Sequence, residues 1–117
     1  MNRRERGRKA EELVCSYLEG LGCRILERNL YTPYGEIDIV AVCGNEVVFV
    51  EVRSTNANWD VERSLNRMKL EHFLKSGLFY ISENPEIDNY RFDVVIVKGG
   101  KVHEHIKGIS FDSDELF

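Results

Sequence analysis

The amino-acid sequence predicts an α/β fold in which helices flank a mixed β-sheet. Two long segments, one near the amino terminus and one in the second half, carry apolar residues at helical spacing. Short apolar runs typical of strands lie between and after them. Brief turns make neighbouring strands antiparallel, whereas a crossover helix makes the strands on either side of it parallel. The predicted order is therefore αβββαββ, in a single domain over residues 1–117.

The first helix is predicted over residues 5–21. Its apolar side chains recur at intervals of three and four residues, which places them on one face of a helix. They are Ala10, Leu13, Val14, Tyr17, Leu18 and Leu21. Gly20 and Gly22 mark the end of this helix, because glycine readily adopts the left-handed conformation that terminates helices.

A meander of three strands is predicted next. The first strand covers residues 23–31, and a Thr-Pro-Tyr-Gly turn follows at 32–35. Residues 37–42 and 47–52 are the two clearest strands, because both are rich in valine and isoleucine. The Gly-Asn pair at 44–45 joins them and suits a tight two-residue turn of the primed type.

The second half of the chain contains one helix and two strands. The helix begins at Ser64 or Asn66 and ends at Tyr80. Because it is apolar on two sides, it is either deeply buried or also docks a partner, and a homodimer is one prediction. His103 and His105 share a face of the last strand and are predicted to be a surface pair. The other segments are a polar loop at 54–63, an acidic loop at 82–89, a strand at 90–97, a turn at 99–100 and a strand at 101–106.

Composition predicts a cytoplasmic protein that does not associate with membranes. No apolar run approaches the ~20 residues needed to span a bilayer. The charged start of the chain lacks the apolar stretch of a signal peptide. Cys15, Cys23 and Cys43 are odd in number and include no Cys-x-x-Cys pair. Reduced thiols are therefore predicted, rather than a disulfide framework or a zinc site.

The net charge of −4 argues against a protein that coats nucleic acid through bulk charge. Positive charge is nevertheless concentrated at the start of the chain, where residues 1–12 hold five arginines and lysines. This segment is either a local basic face that meets nucleic acid or a solvated, frayed terminus.

The two-residue turn at 44–45 fixes the predicted register of the central hairpin. One face is entirely apolar and is assigned to the core; it pairs Ala41 with Val48, Ile39 with Val50 and Ile37 with Val52. The other face pairs Val42 with Val47, Val40 with Phe49, Asp38 with Glu51 and Glu36 with Arg53. Asp38 and Glu51 are thus predicted to be direct cross-strand neighbours, with Cβ atoms ~4.5–5.5 Å apart.

Like charges at opposed positions destabilise a sheet, so this pair needs compensation. One carboxyl can hold a proton. A divalent cation can instead bridge the two, and Mg²⁺ is commonly held by one or two carboxylates with waters and substrate phosphates. The alternative is a hydrated pair at the sheet edge that Arg53 neutralises. Glu11 lies about 90° from the centre of the apolar stripe of its helix, which allows it to point towards the hairpin.

Five segments of the chain resemble the UPF0102 (YraN-like) family. They are GRKAEEL at 7–13 with Tyr17-Leu18, Arg28-Asn29, GEIDIVA at 35–41, VFVEVR at 48–53 and RFDVV at 91–95. The family is grouped with the PD-(D/E)xK, restriction-endonuclease-like superfamily, near archaeal Holliday-junction resolvases. The resemblance implies an αβββαβ core and a Mg²⁺-ligand role for Asp38 and Glu51. It also matches Glu11 to the acidic residue of the family's first helix.

Two positions depart from the family pattern. Arg53 stands where lysine is usual. Arginine stays protonated and can only stabilise charge, whereas lysine can lose a proton. Residues 66–69, Asn-Arg-Met-Lys, replace a more basic, proline-containing stretch, and Lys69 is positioned to supply an amine from the second helix.

The resulting functional prediction is a Mg²⁺- or Mn²⁺-dependent DNA endonuclease that hydrolyses phosphodiester bonds, with branched or damaged DNA as candidate substrates. Asp38, Glu51 and Glu11 are the predicted metal ligands, with Arg53 and Lys69 as further catalytic residues. The predicted contacts to the DNA backbone are Arg3, Arg4, Arg8, Lys9, Arg67 and Lys69. Two alternatives stay open: a catalytically weak or inactive nucleic-acid-binding module with the nuclease fold, and a non-enzymatic homodimeric interaction protein.

Overall fold

A computed structural model describes residues 2–55 and 67–110 of the chain. In this part the elements follow the predicted order αβββαββ, and the α/β fold class is confirmed. They are α1 (Arg3–Gly20), β1 (Arg24–Thr32), β2 (Gly35–Cys43), β3 (Glu46–Thr55), α2 (Arg67–Glu83), β4 (Tyr90–Lys98) and β5 (Lys101–Ile106).

Most boundaries agree with the sequence prediction to within a few residues. The exceptions are β3, which runs through Thr55 where a loop was predicted from residue 54, and α2, which continues to Glu83. The predicted helix start at Ser64 or Asn66, and the rest of the predicted loop, lie outside the described residues. No described helix is long and apolar enough to cross a membrane.

The described strands form one five-stranded mixed sheet in the order β1-β2-β3-β4-β5. β1, β2 and β3 are an antiparallel meander, β3 and β4 are parallel, and β5 returns antiparallel to β4. The parallel pair flanks α2 in the chain, as a crossover requires. This arrangement is compatible with a restriction-endonuclease-like core.

Each face of the sheet packs against one helix. α1 contributes Val14 and Leu18 to a cluster with Ile39, Val48 and Val50, all essentially inaccessible to water. A second cluster, on the α2 face, contains Val40, Phe49, Phe73, Leu74 and Phe92. The sheet is therefore buried on both sides, which explains why β3 reads as a continuous apolar run.

Ile37 departs from the predicted alternation. The alternation predicts that it shares a face with Ile39, but it packs in the α2 cluster with Val40 and Phe49. The two-residue periodicity of β2 therefore breaks between Ile37 and Ile39, at Asp38. On the neighbouring strand, Asn29 lies at the same level and has a left-handed backbone with φ of 52°.

The cysteine prediction is wrong for two of the three residues. Cys23 and Cys43 form a disulfide, with Cα atoms 4.3 Å apart, and Cys15 is free and buried. The register explains this pairing, because Arg24 lies opposite Val42 and the next positions outward bring the two cysteines together. Counting cysteines could not reveal it, since the pair depends on the antiparallel register of β1 and β2, which brings together two residues that are 20 positions apart.

Candidate metal and phosphate site

The β2–β3 hairpin follows the predicted register only as far as Ile39 and Val50. Beyond that pair, the Val52 N–H donates a hydrogen bond of 2.8 Å to Asp38 Oδ2. The ladder pairs predicted for Asp38 with Glu51, and for Ile37 with Val52, are therefore not formed. A side-chain carboxylate takes the backbone donor that the ladder would have used, so the two strands separate where the acids lie.

A cavity of about 280 Å³ opens at this separation, between β2, β3 and α2. Four of the five predicted catalytic residues line it: Asp38, Glu51, Arg53 and Lys69. His72, Phe73, Gly35 and Glu36 complete the lining. His72 was not predicted; only the helical spacing of three residues from Lys69 could have indicated it.

Burial dominates the electrostatics of the two carboxyl groups. Burial raises the pKa of Asp38 to about 7, against the lowering effect of the Val52 hydrogen bond. Burial, and next the charge of Asp38, raise the pKa of Glu51 to about 8. Both groups therefore resist full ionisation near neutral pH, and a divalent cation between them would favour the ionised forms.

Arg53 brings an incompletely satisfied guanidinium to the cavity. Its Nη2 atom lies 3.3 Å from Glu51 Oε1, and its side chain is 19% exposed. Its Nε atom is buried and has no hydrogen-bond partner among the described residues. Since a buried donor without an acceptor is costly, this nitrogen is suited to an oxygen supplied by a ligand.

Glu11 lies on α1, half-buried, and does not line the cavity. Burial raises the pKa of Glu11, and its charge in turn raises the pKa of Asp38. With its amide nitrogen turned to the acids, Asn29 donates to Glu11 Oε2 at 3.1 Å and to Glu36 Oε1 at 2.8 Å. Asn29 thus connects Glu11 to Glu36, a role that the sequence did not predict, and asparagine is a residue type that tolerates its left-handed backbone.

The described residues do not form a three-carboxylate cage. Within residues 2–55 and 67–110, no three His, Cys, Asp or Glu side chains are grouped so that they could hold a metal ion. The carboxylates that share the cavity are those of Glu36, Asp38 and Glu51, and only the last two are deeply buried. The role of Glu11 as a ligand stays a prediction.

The predicted DNA contacts fall on two sides of the molecule. Those at the start of α1 are exposed and do not line the cavity: Arg3, Arg4, Arg8 and Lys9. At the start of α2, Lys69 lines the cavity, and the exposed Arg67 pairs with Glu71 at 3.0 Å. The cations nearest the carboxylates are therefore Arg53 and Lys69.

A larger cavity of about 610 Å³ lies between α1 and the ends of β3 and β4. Arg6, Lys9, Leu13 and Val97 are among its lining residues. Glu12 is the only acid among the described residues that line it, so it offers no carboxylate pair for a cation. The smaller cavity holds the pair of carboxyl groups that the sequence predicted to lie together, Asp38 and Glu51.

A second polar cluster lies on the α1 face of the sheet. Asp93 is fully buried, accepts two hydrogen bonds from Arg91 at 2.9 and 3.0 Å, and lies 2.7 Å from His105 Nε2. The other ring nitrogen of His105 lies 2.8 Å from the Tyr17 hydroxyl on α1. The prediction of a surface pair is therefore wrong for His105, whose side chain is 8% exposed.

The fold and the site define an α/β protein whose core is compatible with that of restriction endonucleases. The chain belongs to UPF0102: the model of this family, described as an uncharacterised protein family, matches residues 10–97. A UPF0102 protein of Wolinella succinogenes is 38% identical over 107 residues, 92% of this chain and 97% of its own. One from Thermotoga petrophila is 40% identical over 102 residues, 87% of this chain and 94% of its own. One from Helicobacter pylori strain P12 is 37% identical over 108 residues, 92% and 93% of the two chains. The family resemblance seen in the sequence is confirmed.

Proposed function

We infer that this protein is a divalent-metal-dependent endonuclease that hydrolyses phosphodiester bonds in DNA. One observation carries the proposal: two deeply buried carboxyl groups, Asp38 and Glu51, share a cavity with Arg53, whose buried Nε lacks an acceptor among the described residues. The acids suit a cation and the guanidinium suits an anion. A phosphodiester bound together with a metal ion would supply the cation for the two acids and the anion for Arg53.

The donor set fits Mg²⁺ or Mn²⁺. Both ions prefer oxygen ligands, and Mg²⁺ is usually held by one or two carboxylates together with water and substrate phosphate. Asp38 and Glu51 would hold the ion, with the Val52 carbonyl and Glu11 as further candidates. When bound, such an ion supplies an activated water and neutralises charge on the phosphate.

The side chains of the chain itself would orient the phosphate and stabilise its charge. Arg53 would donate from Nε to a phosphate oxygen, which satisfies a buried donor that has no partner in residues 2–55 and 67–110. Lys69, on the same cavity wall, would add a second positive charge. Because arginine keeps its proton, Arg53 would act only on charge and geometry and not as a base.

DNA is the proposed partner, and branched or damaged DNA is the proposed finer substrate class. The exposed cations at the start of α1 would contact phosphates and position the substrate without specifying its sequence. Because the net charge of the chain is −4, attraction to DNA would be confined to this local cluster of positive charge. A homodimer stays a prediction, which sedimentation of the purified protein tests.

The test incubates the protein with linear, nicked, single-stranded and four-way DNA, each with and without Mg²⁺ or Mn²⁺. We expect metal-dependent cleavage that falls by about 100-fold or more in Asp38→Asn and in Glu51→Gln. Glu12→Gln is the matched control, because Glu12 is exposed on α1 and does not line the site cavity. Equal cleavage by the wild type and both site variants would contradict the assignment.

A nucleic-acid-binding module without catalysis is the second candidate function. The arginine at position 53 favours it, since this side chain cannot take a proton from water. Calorimetry, which measures the binding of metal and DNA, distinguishes the two functions when it is combined with the cleavage assay. Binding of both Mn²⁺ and DNA, without cleavage of any of the four DNA forms, would identify the binding module.

A further inference from the structure

Tyr31 is the most exposed of the large apolar side chains in residues 2–55 and 67–110. It lies near the end of β1 and is 78% exposed, and Tyr34, on the β1–β2 turn that follows, is 49% exposed. None of the ring contacts within the described residues involves Tyr31. The packing of the described core therefore gives no reason for an aromatic ring at this position.

The β1–β2 turn that follows Tyr31 is held firmly against α2. The Thr32 hydroxyl lies 2.8 Å from Ser76 Oγ, and Ser76 is fully buried. The same Thr32 oxygen accepts the N–H groups of Tyr34 at 3.1 Å and of Gly35 at 3.2 Å. The Tyr34 ring meets Phe79 of α2 edge-on, with centroids 6.3 Å apart. The exposed ring is thus mounted on a fixed support, which lowers the entropy cost of binding.

This support adjoins the candidate site. Tyr31 is the cross-strand partner of Glu36, and Gly35 and Glu36 both line the cavity that contains Asp38. Strand spacings place the Tyr31 backbone roughly 8 Å from that of Asp38. A ring at this distance can meet a base within about one or two nucleotides of a phosphate in the cavity.

We propose that Tyr31 is a stacking platform for an unpaired nucleobase next to the phosphate-binding cavity. This surface would select DNA that has single-stranded nucleotides next to the phosphodiester bound in the cavity. The inference rests on the proposed function only in identifying the phosphodiester bond beside the stacked base as the one that is hydrolysed. The stacking itself is a binding property.

The chemistry favours an unpaired base over duplex DNA. Inside a duplex, both faces of a base are covered by its neighbours, whereas a base in a single strand offers a free face. Stacking on an aromatic side chain accepts every base, and cations beside it hold the backbone. Arg53 and Lys69 supply those cations at the cavity.

The test measures binding in EDTA, so that cleavage plays no part. Fluorescein-labelled single-stranded DNA and a blunt duplex of the same sequence are titrated with the wild type, Tyr31→Ala, Tyr31→Phe and Tyr90→Ala. Tyr90 is the matched control, because it is 42% exposed at the start of β4 and does not line the cavity. Circular dichroism verifies that each variant is folded.

We expect Tyr31→Ala to weaken single-strand binding about ten-fold and to leave duplex binding unchanged. Tyr31→Phe, which keeps the ring, and Tyr90→Ala should bind like the wild type. With 2-aminopurine in the single strand, the wild type and Tyr31→Phe should quench its fluorescence through stacking, and Tyr31→Ala should not.

Single-strand binding that is equal in the wild type and Tyr31→Ala, or weakened equally for single strand and duplex, would overturn the inference. Absence of any binding to single strands would overturn it as well. A protein that stacks 2-aminopurine through Tyr31 but cleaves no DNA with Mg²⁺ or Mn²⁺ would contradict the proposed function alone.

Discussion

Asp38 has two structural roles, and the sequence motif around it does not reveal that one residue has both. Its carboxylate lines the cavity with Glu51, and it also accepts the hydrogen bond of the Val52 N–H. The second role holds the hairpin open, because the Val52 donor is directed to a side chain. An acid that is also part of the backbone hydrogen-bond network is held rigidly, and the proposed metal site would require rigidity of this kind.

Asparagine and alanine at position 38 should therefore differ in stability. Asp38→Asn keeps an oxygen for the Val52 N–H and removes a charge that burial disfavours, so unfolding in EDTA at pH 8 should be no easier than in the wild type. Asp38→Ala leaves a buried donor unsatisfied and should lower the free energy of unfolding by about 1–3 kcal/mol. Urea titrations compare the two. Equal stability of both variants would show that the hydrogen bond has no net effect.

The carboxyl pair should make stability fall as the pH rises. Both folded pKa values, about 7 for Asp38 and about 8 for Glu51, are above the ordinary values, so the native state binds protons more tightly. The stabilising contribution is complete below about pH 4 and is lost as the pH rises through the folded values.

Urea unfolding between pH 5.5 and 8.5, in EDTA, measures this effect as the difference from the double variant Asp38→Asn, Glu51→Gln. Mg²⁺ added at pH 8 should stabilise the wild type and leave the double variant unchanged. A wild type whose pH dependence matches that of the double variant would show that burial does not shift these groups.

Arg53→Lys should raise the rate of metal-dependent cleavage, because lysine is able to release a proton. The measurement is the initial rate on the best DNA substrate, at several pH values. Arg53→Gln serves as the control, since it removes the charge without supplying an amine. A rate unchanged in Arg53→Lys would show that this position does not limit the reaction.

Among the secondary-structure elements, α2 sets the depth of the cavity. It approaches the sheet closely at Gly77, where an added Cβ would overlap the Phe92 ring and lie 3.3 Å from Phe49 Cδ2. Only a residue without a side chain permits this approach. The close packing in turn brings Lys69 and His72 to the rim above the carboxylates.

Gly77→Ala should therefore destabilise the protein by about 1–3 kcal/mol through overpacking. Gly7→Ala on α1 is the control, because nothing lies within 4 Å of an added Cβ there. That change should stabilise the helix by up to about 1 kcal/mol. Thermal unfolding of both variants gives the comparison, and a neutral Gly77→Ala would show that Phe92 can move without cost.

The molecule as a whole is a sheet between two helices, with its candidate chemistry on one side. The carboxylates and Arg53 lie under α2, whereas the arginines and lysine at the start of α1 lie on the other helix. The buried Asp93 connects β4 to β5 through His105, which also meets Tyr17 of α1. This connection fixes α1 relative to the sheet and so fixes where its exposed cations point.

Salt dependence of DNA binding tests whether the α1 cations share a binding surface with the cavity. Replacement of Arg3, Arg4, Arg8 and Lys9 by glutamine should reduce the slope of log affinity against log salt by about 3 for single-stranded DNA. Replacement of the exposed Lys101 and Lys107 is the control and should leave the slope unchanged. An unaltered slope in the α1 variant would remove this helix from the DNA surface.

Local pattern was sufficient for the element order, the turn at 44–45 and the pairs from Cys43 with Glu46 to Ile39 with Val50. These features depend on neighbours in the chain, through helical spacing, strand alternation and turn geometry. The pairing of Asp38 with Glu51 was predicted by extending the same rule, and it failed where a side chain took over a backbone hydrogen bond. The acids still share one cavity, because both lie on the α2 face of neighbouring strands.

Distant segments decided the rest. The Cys23–Cys43 disulfide depends on the register between β1 and β2. The burial of His105 beside Asp93 and the entry of His72 into the cavity each join residues from separate elements. The bridge that Asn29 makes between Glu11 and Glu36 does so as well. Which groups meet depends on how closely helices pack on the sheet and where the strands part. Those distances arise from the packing of the whole core, and no short stretch of sequence encodes them.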